Sequence, residues 1–280
     1  MPIYEQAYRR YEAREPLRRF RFWPITREAL RLLLARRWFL VLFGVSQLLF
    51  VGRSVQIYVV TRFPEAGRIL PIDGRMFGEF LNQQIFFTLL LSVFGGAGLV
   101  ANDLRTGAIL VYLSRPLTRR DYVLGKLGVL LALNLGVTLA PALLLYGVGA
   151  AVAPEQFFRM DRAWIGPAIA LHATIISVVV SLVALAASSL SKSARVAGVG
   201  FIVFVAGLEM ARRVLTMISG RPEAQVLSLQ NDLRMVGRLL FGIADRTPVP
   251  ALYPTLVLAL AIAAALAILR ARVRAVEIVR

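Results

Sequence analysis

The sequence predicts an all-α, polytopic membrane protein: six transmembrane helices, an N-terminal interfacial helix, and an outer amphipathic helix between the fifth and sixth spans. Three observations lead to this fold class. Of 280 residues 58% are hydrophobic, with a mean hydropathy of +0.68, far beyond soluble-domain composition. Six segments supply the roughly 20 mostly apolar residues that a helix needs to cross about 30 Å of hydrocarbon, where backbone polar groups have only one another as partners. The net charge of +17, from 33 basic and 16 acidic residues, is concentrated outside those segments.

Residues 1–23 form a basic tail whose first 20 residues mix Tyr, Arg and Glu without apolar periodicity. This predicts a mobile segment that carries topogenic charge or meets anionic lipid. Over 24–37, Leu30, Leu33 and Leu34 lie opposite Arg27, Glu28 and Arg31, the pattern of a short interfacial helix. The first apolar run opens at Trp38 and is as long as a full span, which predicts a retained helix rather than a cleavable signal. The spans are expected at 38–60, 79–101, 122–151, 163–190, 194–215 and 251–269, and a basic tail follows at 270–280. In the fifth span only 196–208 is free of charge, so reaching both interfaces requires Arg195 and Arg212 to snorkel outward. In the outer segment 216–250, Val226, Leu229, Leu233, Val236 and Leu240 recur at helical spacing. Ser228, Asp232 and Arg238 fall off that stripe, so the helix caps the bundle or lies on the outer leaflet.

Charge sets the orientation. With an even number of crossings both termini share a side, and that side holds 21 of the basic residues against 11 opposite, with Arg53 inside the first span. The positive-inside rule makes the richer side cytoplasmic. The same rule accounts for the basic excess without nucleic acid. Cysteine is absent and His172 is the single histidine, which excludes disulfides, cysteine nucleophiles and multi-histidine metal centres.

Two kinds of polar residue inside the spans are candidates for function. Thr88 and Ser92 with Gln84 in the second span, Asn134 and Thr138 in the third, and Thr174, Ser177 and Ser181 in the fourth form small polar stripes, which pack helices or line a path. Arg53 and Glu209 are the deep charges. They stand about 24 Å and 21 Å up their helices, which suggests an ion pair across the first and fifth spans; the alternative is an outward-snorkelling Arg53 and a Glu209 paired locally with Arg212 or Arg213. His172 is expected to bond to neighbouring backbone.

The second cytoplasmic loop carries the most information. It reads GGAGLVANDLRTGAILVYLSRPLTRRDYVLGK over 95–126. The second helix runs past the membrane through Asp103 and Arg105, and Pro116 breaks the chain after Ser114 and Arg115. A new short, charged helix is expected at 117–122, comprising Leu117, Thr118, Arg119, Arg120, Asp121 and Tyr122, before Gly125 and Lys126 re-enter lipid. Gly125-Lys126 is not a phosphate loop, because Leu127 follows and no glycine precedes at the required spacing.

This stretch resembles the loop of the ABC type-2 exporter permeases, which pairs an acid with a following glycine, continues to a Ser-x-Pro turn and ends in Gly-Lys. The matching residues are Asp103, Gly107, Ser114 with Pro116, and Gly125 with Lys126; Asp103 stands where Glu is more usual and Ala108 where Thr is common. The resemblance implies that 117–122 is a coupling helix docking on a separate ATP-binding subunit. It implies a permease subunit of an ATP-driven exporter in a bacterial inner membrane, acting as a homodimer or with a related permease. This chain itself would then be no enzyme and would bind no cofactor, ATP and Mg belonging to the partner. The rival classes are a secondary transporter, which requires ion-binding groups near the midplane, and an intramembrane enzyme, which requires a nucleophile with an oriented base.

Overall fold

The structure, a computed structural model, describes residues 22–113, 117–152, 163–243 and 249–273. Among them the chain is helical throughout, with six helical segments long and apolar enough to cross a membrane. In chain order these are α2 (Arg37–Arg62), α3 (Gly74–Thr106), α5 (Arg119–Val137) continued by α6 (Leu139–Val152), α7 (Ile165–Ser189), α8 (Ala194–Ser219) and α10 (Leu252–Arg272). Three shorter α-helices accompany them, α1 (Trp23–Leu34), α4 (Ala108–Leu113) and α9 (Leu229–Leu240), with two 3-10 helices at Pro64–Arg68 and Pro222–Leu227.

Local chemistry sets the helix ends. Asp73 caps α3 by accepting the Met76 amide at 3.1 Å, and α3 ends where Gly107 turns left-handed at φ 70°. Between these stops lie 33 residues, about 50 Å of helix, so the helix outruns the hydrocarbon. The third span is two helices, jointed at Thr138. Pro141 has no N–H to give the Val137 carbonyl, so the ladder loses that one rung while Thr138 and Ala142 keep theirs at 2.9 and 3.2 Å, and the Thr138 hydroxyl also donates to the Asn134 carbonyl at 2.7 Å.

α3 and α7 form the centre, and α5 packs against both. Gly95 and Gly96 let α5 approach closely: a Cβ on either would lie 3.3 Å from Leu133 or 3.2 Å from Leu130. Helices α2, α8 and α10 stand at the perimeter and leave much of their apolar surface uncovered, including Val41, Leu48, Val199, Val203 and Leu260. In lipid such faces carry no penalty.

The sequence reading is corrected at two places. No separate helix forms at 117–122. Thr118 instead caps α5, accepting the Asp121 amide while Asp121 accepts from Thr118 in return, and nothing beyond this capping box interrupts the helix. The short helix of the loop is α4, on the other side of 114–116. Asp232 is not off the apolar stripe. It lies one turn from both Leu229 and Val236 and is fully buried. The alternative reading of Glu209 is the one found, since it pairs with Arg212 and Arg213 on its own helix.

Candidate functional site

Asp103, Tyr122 and Lys126 converge at the base of the hairpin between α3 and α5. Lys126 Nζ stands 2.7 Å from Asp103 Oδ2, and the Tyr122 hydroxyl donates to the same oxygen at 2.8 Å. The Lys126 ammonium also lies 5.7 Å and 5.6 Å from the ring centres of Tyr112 and Tyr122, within cation–π range. Tyr122 and Lys126 are buried, and Asp103 and Tyr112 are half-buried. One carboxylate thus holds two spans together, and Tyr112 brings α4 onto the same cluster. Ile109 and Val273 complete it, so the end of α10 joins as well.

The glycine beside Lys126 has its own reason. A Cβ at Gly125 would sit 2.9 Å from Ile25 Cβ and 3.1 Å from the Phe22 carbonyl, and at Gly128 2.9 Å from the Thr26 hydroxyl. These two glycines are the seat of α1. Thr26 Oγ1 donates to the Gly125 carbonyl at 2.8 Å and is itself buried. Helix α1 therefore rides on α5 beside the ion pair.

The outer rim of the hairpin is charged and open. Thr118, Arg119 and Arg120 are exposed, as is Arg105 on α3, while Leu117 and Asp121 are half-buried and Gly107 has open space around it. Ser114, Arg115 and Pro116 lie outside the described residues, as do 1–21 and 274–280 of the two basic tails.

The polar stripes meet one another. Asn134 Nδ2 donates to Ser92 and to Ser181, each at 3.0 Å, and Thr138 and Ser177 share a hydrogen bond of 3.2 Å. All five are buried. The network ties α3, α5 and α7 around their joint core. Thr88 and Thr174 stay out of it, donating to Ile85 and Ala170 on their own helices. Gln84 reaches the Ser46 carbonyl of α2 at 3.1 Å.

The Arg53–Glu209 pair does not form. Arg53 donates to Gln56 at 2.8 Å and faces Glu79 of α3 at 3.7 Å, whereas Glu209 receives Arg212 at 2.7 Å and Arg213 at 2.9 Å. Equal depth is not adjacency: α2 packs on α3 and α6, and α8 packs on α3 and α7. Glu209 has a further partner that sequence reasoning missed. The Ser228 hydroxyl donates to it at 2.7 Å, which pins the start of α9 to α8. Only the capping-residue type at 228 hinted at this.

His172 also serves α9. Its Nε2 lies 3.0 Å from the Leu233 carbonyl, so that nitrogen is the donor, and the ring lies edge-on to Phe241. A Cβ at Gly237 would overlap the imidazole. Among the described residues no three His, Asp or Glu side chains gather as a metal site would require. Two apolar grooves flank α8, one against α3 with a volume of 400 Å3 and one against α10 with 730 Å3.

In comparison with known proteins, the chain matches no family model and no curated protein.

Proposed function

We propose that the chain is the permease subunit of an ABC transporter working as an exporter, and that the α3–α5 hairpin is the handle by which a separate ATP-binding subunit moves it. The observation that carries this reading is the Asp103–Lys126–Tyr122 cluster, in which a half-buried carboxylate meets a buried ammonium and a buried phenol. A handle must not flex at its root, and packed elements transmit motion as rigid bodies. Here one carboxylate joins α3 to α5 while α1, α4 and the end of α10 pack around it, leaving Arg119 and Arg120 outside as grips. The motion would pass through α3 and α5 to α7 by way of the Ser92–Asn134–Ser181 contacts.

In this reading α1 is interfacial, both termini are cytoplasmic in a bacterial inner membrane, and α9 caps the outer end of the bundle. ATP and Mg belong to the partner, and the path forms between two copies or between this chain and a related permease. The ATP-driven shift is productive only if cargo binds the two states unequally.

Affinity capture tests the proposal. The tagged chain, extracted in mild detergent, is expected to recover an ATPase subunit, and Arg119→Glu with Arg120→Glu to reduce that recovery by roughly tenfold or more. Undiminished recovery by the charge-reversed chain removes the handle from the interface. Recovery of no ATPase at all, with substrate movement by the chain alone, overturns the permease reading.

A further inference from the structure

The groove between the fifth and sixth spans is the largest apolar cavity of those found beside α8. Helices α8 and α10 both pack on α7, whose Val183 and Ala187 form the floor between them. Small residues widen it: Gly200 faces it from α8 and Ala264 from α10. The walls run from Ala197 to Leu208 and from Val257 to Ile268, about 16 Å of helix on each side. That is the depth of one leaflet, half of about 30 Å.

The two ends of the groove differ. Away from the hairpin it is lined by Leu227 and Leu229, on either side of the Ser228 that Glu209 holds. Toward the hairpin its lining ends at Ser191, Val196 and Ile268; Lys192 follows Ser191, and Arg272 lies one turn beyond Ile268 on the same face of α10, both exposed. A slot one leaflet deep, apolar along its walls and with these two cations at its hairpin end, complements an amphiphile with an anionic head.

We infer that this groove holds one acyl chain of an anionic phospholipid from the leaflet on the hairpin side, with the headgroup phosphate on Lys192 and Arg272. Guanidinium and ammonium groups at a membrane surface recognise phosphate, and the apolar wall supplies the larger share of binding through buried chain length. The inference is independent of any ATPase.

The test uses the whole chain purified in detergent, with native mass spectrometry counting the lipid retained. Phosphatidylglycerol and phosphatidylcholine with the same acyl chains are the two probes. One phosphatidylglycerol per chain is expected to persist where phosphatidylcholine is stripped. Lys192→Glu and Arg272→Glu should each weaken retention roughly fivefold, and Arg270→Glu, on the far face of α10, should leave it unchanged. Because the chain has no cysteine, Gly200→Cys can be labelled with a bulky maleimide after folding. Labelling should cut retention about tenfold relative to the same unlabelled protein. Equal retention of the two lipids, retention unaffected by the label, or efficient oxidative crosslinking of Gly200→Cys between two copies would each overturn the assignment, the last by making a second chain the occupant.

Discussion

Lys126 and Asp232 are opposite solutions to burying a charge. Lys126 is paired at once by Asp103 and by the faces of two tyrosines. Removing one partner of such a pair strands the other, at a cost of about 3 kcal/mol; Lys126→Ala should therefore unfold at a clearly lower temperature in detergent, and Asp103→Asn with Lys126→Met should recover part of the loss. Asp232 has no partner for either oxygen, and burial alone pushes its carboxyl up to about 8. A carboxyl raised in the folded state holds a proton that the unfolded chain releases near pH 4. Its contribution to stability is thus full below about pH 4 and is lost as pH rises toward 8. Asp232→Asn should flatten that slope and raise the Tm at pH 8 by about 2 °C or more, and a slope unchanged in the variant would show that another group titrates. Neither environment could be read from sequence in the same way. Asp103 and Lys126 announced themselves as parts of a motif, but the polar character of Asp232 concealed its place on the apolar face of its helix.

Among the elements, α1 shows how a small residue specifies contact. Its seat on α5 depends on the absence of a side chain at Gly125, where the first added carbon meets Ile25 and the Phe22 carbonyl. Gly125→Leu is expected to lift α1 off while leaving the spans intact, which limited proteolysis at Arg27 or Arg31 would report as faster cleavage; unchanged cleavage would mean that Thr26 and its neighbours hold α1 unaided. The amphipathic pattern of 24–37 foretold a helix, and a glycine a hundred residues away foretold nothing about its dock. Spans were legible because twenty apolar residues admit few other structures. Which spans touch was not, and the Arg53 reading failed for that reason: its acid was Glu79, on an adjoining helix, although Glu209 matched it in depth. The capping box at Thr118 and Asp121 was present in the sequence, but the proline before it drew the boundary to the wrong place. Glu209 offers a further check at this scale. Glu209→Ala should release the start of α9, exposing Ser228 to faster backbone hydrogen exchange while α3 and α7 keep their protection.

For the molecule as a whole, the absence of cysteine makes orientation directly measurable. Single cysteines placed at Arg119 and at Gly220 should react with a membrane-impermeant maleimide from opposite sides, Gly220→Cys in intact cells and Arg119→Cys only after lysis; labelling of both from outside would invert or abolish the proposed topology. The joint at Thr138 bears on what such an assembly can do. Below it, α5 packs on α1, α3 and α7; above it, α6 packs on α2 and again on α7. Under the proposed function, a push on Arg119 and Arg120 would travel up α5 and meet, at Pro141, a rung that the backbone ladder cannot form. The span would have its give there, with α7 alongside both halves as the splint.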